Sequence, residues 1–159
     1  MALTADIFES WRRPRVVIRR LVLRGRSEPF VFTFLFVFLL LSLVALAPYL
    51  AREAALHPDV PLFQRLFAAA LGMLGLIPVF YLLAALGHLV AKLMGGHGGY
   101  FDGRLALFWA LTCTTPAMLI YGLMRAFSTN ALVLSVAGIA IFVMFITLYA
   151  VMLREVEGQ

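Results

Sequence analysis

Four apolar runs, each as long as a membrane span, restrict this chain to a small set of folds. They cover residues 29–50, 66–94, 105–124 and 131–153, and a helix needs about 20 apolar residues to cross a bilayer. Hydrophobic residues make up 64% of the 159 positions, which is more apolar surface than a soluble domain of this size can bury. The sequence therefore predicts an all-α fold, a polytopic helical bundle with four transmembrane helices over residues 29–159.

The first apolar run follows a basic segment, as the core of a signal peptide does. Residues 29–50 are longer than the roughly 7–15 residues of such a core. We therefore interpret them as the first membrane helix, with Ser27 as the N-cap and Pro29 in the first turn.

The second run, residues 66–94, is longer than one span requires and too short for two. A single helix that tilts, or that kinks at Pro78, accounts for this length. A polar connection is predicted before it, over residues 51–63, and a glycine-rich loop after it, over Gly95–Gly103. A polar tail is predicted after the last span, over Arg154–Gln159.

The basic residues are divided unequally between the two sides of the predicted bundle. Ten of the 13 lie in the N-terminal segment, beside the glycine-rich loop or after the last span, and three lie on the opposite side. By the positive-inside rule, both termini and the loop are expected in the cytoplasm. We predict a multi-pass membrane protein.

Residues 1–28 form an Arg-rich cytoplasmic segment that predicts a basic amphipathic interfacial helix. Its apolar stripe, which includes Trp11, Val17, Ile18 and Leu21, is expected to lie in the cytoplasmic leaflet. The arginines would contact anionic lipid headgroups, or would only fix the topology. They are Arg12, Arg13, Arg15, Arg19, Arg20, Arg24 and Arg26. We expect no nucleic-acid partner, because a basic segment before an apolar run is the ordinary topology signal.

Four side chains near the glycine-rich loop form a candidate interfacial polar site: His88, Lys92, His97 and Arg104. His88 and Lys92 share one helix face near the expected edge of the hydrocarbon. The alternative is structural. In that case Lys92 extends to the interface, His88 meets water or a carbonyl, and the glycines supply a tight turn.

Thr112, Thr114, Thr115 and Pro116 form a polar cluster inside the third predicted span. Threonine hydroxyls can satisfy carbonyls that a proline frees, so Thr112, Thr115 and Pro116, like Pro78, are predicted helix-kink residues. Interrupted helices also line the substrate path of transporters. That alternative stays open, although no acidic residue lies within a predicted span.

The sequence contains no pattern that indicates catalysis or metal binding. The three histidines lack metal-ligand spacing, and no serine, histidine and acid triad can be assembled. The lone Cys113 predicts a small buried hydrophobe. We expect no enzymatic activity, no metal and no cofactor.

Small residues in the second and fourth runs indicate close helix contacts. They are Ala68, Gly72, Gly75, Ala84 and Gly87 in the second run, and Ala137, Gly138 and Ala140 in the fourth. The pattern fits contacts within one chain, contacts with a membrane-protein partner and contacts in a homo-oligomer.

Several segments together resemble the Yip1 family of small integral membrane proteins, in the form found in bacteria. They are the lead-in Arg24–Pro29, the helix end His88–Gly96, the following Gly98, Phe101 and Arg104, and the span that carries Pro116. The resemblance extends from about Arg12 to Leu153 and implies an all-helical membrane domain. Eukaryotic relatives are linked to vesicle trafficking and Rab-type GTPases and are usually drawn with five spans. This sequence predicts four, and the trafficking role is not carried over.

Three functions fit these observations. The first is a non-enzymatic integral membrane protein that binds lipid or a membrane-protein partner and organises or stabilises a membrane assembly. The second is a small transporter or channel protomer that uses the proline-interrupted helices. The third is an accessory subunit of a respiratory or photosynthetic complex.

Overall fold

The computed structural model describes residues 3–25 and 27–158, so Arg26 lies outside the described part. The described part contains seven α-helices: α1 (Leu3–Arg12), α2 (Pro14–Leu23), α3 (Glu28–Leu56), α4 (Leu62–Gly75), α5 (Ile77–Leu93), α6 (Tyr100–Phe127) and α7 (Ala131–Glu157). Four helical stretches are long and apolar enough to cross a membrane, namely α3, α4 with α5, α6 and α7. The prediction of an all-α membrane bundle is confirmed.

Helix α6 is the centre of the bundle. From Phe101 to Thr115, every residue except Arg104 is buried, and α3 and α7 make the most extensive contacts with this helix. The mean hydropathy of its most apolar stretch is 1.4, against 2.3 to 2.9 for the other three spans. The least apolar span is therefore the one that the other helices surround.

Helices α3 and α6 approach each other closely at two levels. A Cβ added to Gly122 would lie 2.0 Å from the carbonyl oxygen of Ala45. Further along, the hydroxyl of Thr112 donates to the carbonyl of Phe34 at 3.0 Å. Because lipid tails are as apolar as the side chains, membrane helices associate through such packing and interhelical hydrogen bonds.

The threonine cluster in α6 uses its hydroxyl groups inside the protein. Pro116 has no N–H, so the carbonyl of Thr112 loses its helical donor, and the hydroxyl of Thr115 donates to that carbonyl at 2.7 Å. The hydroxyl of Thr114 donates to the carbonyl of Leu111 at 2.7 Å. This is the conservative arrangement that the sequence predicted for a proline inside a span.

The second apolar run forms two helical segments, α4 and α5, joined at Leu76. Pro78 lies in the first turn of α5, where its missing N–H is tolerated, while its ring opposes a helical continuation from the preceding turn. One continuous helix is therefore replaced by two segments.

The helices of the described part extend beyond the predicted apolar runs. Helix α3 continues to Leu56 and α4 begins at Leu62, so the polar connection after the first span is shorter than the sequence predicted. Ser27 takes the N-cap position of α3 but makes no side-chain capping bond, whereas Asn130 caps α7 by accepting from the backbone N–H groups of Leu132 and Val133.

Two predictions about loops and tails are corrected. Tyr100–Gly103 belong to α6 rather than to the glycine-rich loop, because Asp102 caps the helix by accepting from the backbone N–H of Gly99 at 2.9 Å. The segment after the last span was predicted to be a polar tail. Its residues are helical as far as Glu157, since α7 continues through them.

The small residues fall into two groups. Ala84 is fully buried, and a Cβ on Gly87 would lie 1.8 Å from the hydroxyl oxygen of Tyr149 in α7. By contrast, a Cβ on Gly72 or Gly75 in α4 would meet nothing within 4 Å. The small residues of α5 therefore serve contacts inside the chain, and those of α4 do not.

Candidate functional site

The arginines of α2 that pair with α7 and the candidate polar site lie at one end of the bundle, where α3 and α6 begin and α5 and α7 end. We call it the basic end. Two bonds define it: Arg104 in α6 donates to Glu28 in α3, and the backbone N–H of His97 donates to the carbonyl of Glu157 at 2.8 Å. Arg19 of α2 donates to Glu155, two residues before Glu157, so α2 lies beside the glycine-rich turn at this end.

The apolar stripe of the N-terminal segment packs against protein. Val17, Ile18 and Leu21 are at most 2% exposed, and α2 contacts α7 and α6. The indole N–H of Trp11 donates to the carbonyl of Cys113 at 2.8 Å. The expectation that this stripe lies in the lipid leaflet is therefore wrong, because α6 and α7 cover it. The single predicted helix is also divided in two, since Pro14 begins a new one.

Two of the arginines are paired within the N-terminal segment. Arg20 donates to both carboxylate oxygens of Glu9 and to Asp6, each at 3.0 Å. The hydrogen bond to Glu9 raises the pKa of the Arg20 guanidinium above its ordinary value. A nitrogen of Arg24 lies 3.9 Å from the carboxylate of Asp6. These pairs hold α1 against α2.

Two further arginines join α2 to α7. Arg19 donates to Glu155, and the Nε of Arg15 lies 3.9 Å from the same carboxylate. Both arginine side chains are largely exposed, and an exposed pair of this kind contributes about 0–1 kcal/mol. The pairs orient α2 and add little to its stability.

Arg12 and Arg13 differ from the other arginines of α1 and α2. Both are exposed, and neither forms an ion pair with a described residue. They lie at the corner between α1 and α2 beside Phe8 and Trp11, which are 57% and 40% exposed. The two aromatic rings meet edge to face with centroids 5.2 Å apart. We call these four residues the arginine corner.

His88 is paired with a carboxylate that the sequence did not point to. Its Nδ1 lies 2.6 Å from Oε1 of Glu157, and the two residues are 3% and 2% exposed. Against an ionised carboxylate this nitrogen carries the proton and donates it. The ring of Tyr100 lies beside the imidazole, with centroids 4.4 Å apart. The pair fastens the end of α7 to α5.

The glycine-rich turn leaves room for Glu157. A Cβ on Gly96 or Gly98 would lie 2.9 Å from Oε2 of Glu157, too close for a real side chain. Gly95 has φ +92°, a backbone conformation that only glycine adopts without strain. The glycines therefore admit the carboxylate and close α5 with a tight turn.

The other members of the predicted interfacial polar site do not join His88. Lys92 and His97 have exposed side chains, and Arg104 pairs with Glu28 while its guanidinium lies 5.9 Å from the ring centroid of Tyr81. In the described part, no hydrogen bond or ion pair connects these four side chains to one another. His88 belongs with Glu157 instead.

Sequence reasoning missed Glu157 because it ended the last span at Leu153 and treated the residues after it as a polar tail. The available signal was the spacing of Arg154 and Glu157, which continues the face of a helix that leaves the membrane. Groups of three or more histidine, cysteine or acidic side chains that could hold a metal are not found among residues 3–25 and 27–158.

A protein-family match extends over nearly the whole chain. The model of the Yip1 domain matches residues 8–158, a range that includes α2–α7, His88, Glu157 and the arginine corner. No curated protein and no solved structure matches the chain. With the matched range covering nearly all of the sequence and four helices able to cross a membrane, the chain belongs to the Yip1 family and is an integral membrane protein.

Proposed function

We propose that this protein is a non-enzymatic membrane protein that binds anionic phospholipid through the arginine corner and organises the lipid around it. The observation that carries the proposal is the contrast among the arginines. Those at positions 15, 19, 20 and 24 lie within 4.0 Å of carboxylates of the chain, whereas Arg12 and Arg13 are exposed without a described acidic partner.

The chemistry of the corner suits a membrane surface. Guanidinium groups form paired hydrogen bonds with phosphate oxygens, and aromatic side chains favour the level of the headgroups. The excess of basic residues at this end supports a cytoplasmic location for it, and we place the protein in a bacterial inner membrane. An arginine near an anionic surface contributes about 1 kcal/mol.

The first test removes the two charges of the arginine corner. The variant R12Q/R13Q is expected to reduce enrichment of phosphatidylglycerol around the full chain by about five-fold per arginine. The measurement is the lipid composition of polymer-bounded native discs. R65Q/R125Q removes the same charge at the opposite end and serves as the matched control. Equal loss in both variants, or no loss in either, would overturn the proposal.

The face of α4 that carries Ala68, Gly72 and Gly75 supports a second element of the proposal, self-association. All three residues are exposed, and the most apolar stretch of α4 and α5 has 0% of its residues buried. Small residues on a lipid-exposed face allow another helix to approach closely. We propose that a second copy of the chain packs here.

The variant G72L tests this contact. A leucine on this face would hold the two helix backbones apart, so the dimer fraction is expected to fall by about ten-fold. The measurement is native mass spectrometry over a range of detergent concentrations. L74V changes an exposed residue of α4 on another face of the helix and should leave the fraction unchanged. A monomeric parent protein would refute self-association.

The transporter alternative gains no support from α6. The hydroxyls of Thr112, Thr114 and Thr115 all donate to backbone carbonyls, and all three residues are at most 2% exposed. Their polar groups are therefore occupied by the helix itself and by α3.

A further inference from the structure

A groove of about 400 Å³ lies between the ends of α5 and α7 at the basic end. Its walls are apolar along the helices, where Val90, Met94, Ala150 and Leu153 line it. Its polar end holds Arg154 and Glu157 beside Gly95 and Gly96. Neither the arginine corner nor the small face of α4 contributes to it.

Glu157, which lines this groove, has one unpartnered carboxylate oxygen. Its Oε1 is taken by His88 at 2.6 Å, while its Oε2 is buried and has no hydrogen-bond partner. Burying a carboxylate oxygen without a hydrogen-bond partner is unfavourable in free energy. The glycines beside it place no side chain against that oxygen, so a donor from outside the chain is the group that the site lacks.

Arg154 supplies the opposite charge in the same groove. It is exposed and forms no ion pair with a described residue. Arg154 and Glu157 are three residues apart on α7 and so lie on one face, with Cβ atoms about 5–6 Å apart. The polar end of the groove therefore offers one acceptor for a cation and one donor for an anion.

We infer that this groove binds one phospholipid whose headgroup carries a primary ammonium. The ammonium donates to Oε2 of Glu157, the phosphate accepts from Arg154, and an acyl chain lies along the apolar walls. In ethanolamine headgroups two carbons separate the phosphate oxygen from the nitrogen, so a single headgroup carries both the anion and the ammonium donor. The groove also lies at the ends of two spans, where headgroups are found.

The hydrogen-bonding requirement selects this headgroup class. A choline headgroup carries a cation but no N–H to donate, and a glycerol headgroup donates without neutralising the carboxylate. Only the primary ammonium supplies both charge and donor to Oε2. The inference goes beyond the proposed function, since it concerns a single lipid at a different place, and either one can fail alone.

The experiment is native mass spectrometry of the full chain in detergent with lipids of matched acyl chains. Phosphatidylethanolamine is expected to remain bound at one molecule per chain, with at least five-fold higher retention than phosphatidylcholine or phosphatidylglycerol. R154Q removes the phosphate donor and A150F fills the groove. Each is expected to lower that retention by about ten-fold.

Two matched variants serve as controls. K92Q removes a charge at the same end, and A140F adds a ring to an exposed position of the same helix; neither residue lines the groove, so both should retain the lipid. R12Q/R13Q should also retain it, which separates failure of this inference from failure of the proposed function.

Three results would overturn the inference. One is equal retention of the choline lipid, which would remove the role of the N–H donor. Another is unchanged retention in A150F, which would place the lipid elsewhere. The third is displacement of the lipid by an equal concentration of glycerophosphoethanolamine, which would show that the site takes a soluble headgroup compound.

Discussion

The variant H88A is expected to lower the free energy of unfolding by about 3–5 kcal/mol. His88 is the described partner of Oε1 of Glu157, and both residues are almost fully buried. Without the imidazole, the carboxylate stays buried with neither oxygen paired. The measurement is unfolding of the full chain in detergent, followed by far-ultraviolet circular dichroism during denaturant titration.

Two further variants make the His88 prediction specific. H97A removes an exposed imidazole from the adjacent turn, whose contact with Glu157 is made by its backbone N–H, so it should change stability by less than about 0.5 kcal/mol. H88A/E157A removes both partners of the hydrogen bond and should be less destabilised than the sum of the single variants. Additive losses would show that the pair is not coupled and would contradict the argument.

The variant G122A is expected to lower the free energy of unfolding by about 1–3 kcal/mol or more, although alanine is the better helix former. A Cβ at this position would lie 2.0 Å from the oxygen of Ala45 and 2.7 Å from its carbonyl carbon. Those are backbone atoms that no side-chain rotation can move aside, so α3 must shift away from α6. The same titration measures the loss.

Matched alanine substitutions elsewhere identify the clash as the cause. A Cβ on Gly138 would lie 3.5 Å from the hydroxyl of Tyr121, which is ordinary contact, and one on Gly72 would meet nothing within 4 Å. G138A and, in the monomeric protein, G72A should therefore be neutral or stabilising by up to about 1 kcal/mol. A G122A variant as stable as these two would show that α3 and α6 do not meet as closely as described.

The spans could be predicted from local sequence because each run of apolar residues carries its own signal. The role of Thr115 also followed locally, since its hydroxyl and the carbonyl freed by Pro116 belong to the same helix turn. Pro78 also indicated an interruption of the helix near Leu76. Such features depend on neighbours a few residues apart, and a single sequence contains that information.

The pairing of His88 with Glu157 and the covering of Val17, Ile18 and Leu21 could not be predicted in the same way. His88 and Glu157 are 69 residues apart in the chain, and nothing local indicates that α7 ends beside α5. An apolar stripe on a basic helix suits lipid and suits protein equally well. Only the position of α6 and α7 decides between the two.

The central position of α6 has a consequence for biogenesis. This span is the least suited to partition from the translocon into lipid by itself, since it carries the threonine cluster and the lowest mean hydropathy of the four spans. Helix α3, which makes the most extensive contact with it, is synthesised and inserted first. Because of this order, α3 is already in the bilayer when α6 arrives. The carbonyl of Phe34 in α3 is then available to accept the hydrogen bond from the hydroxyl of Thr112.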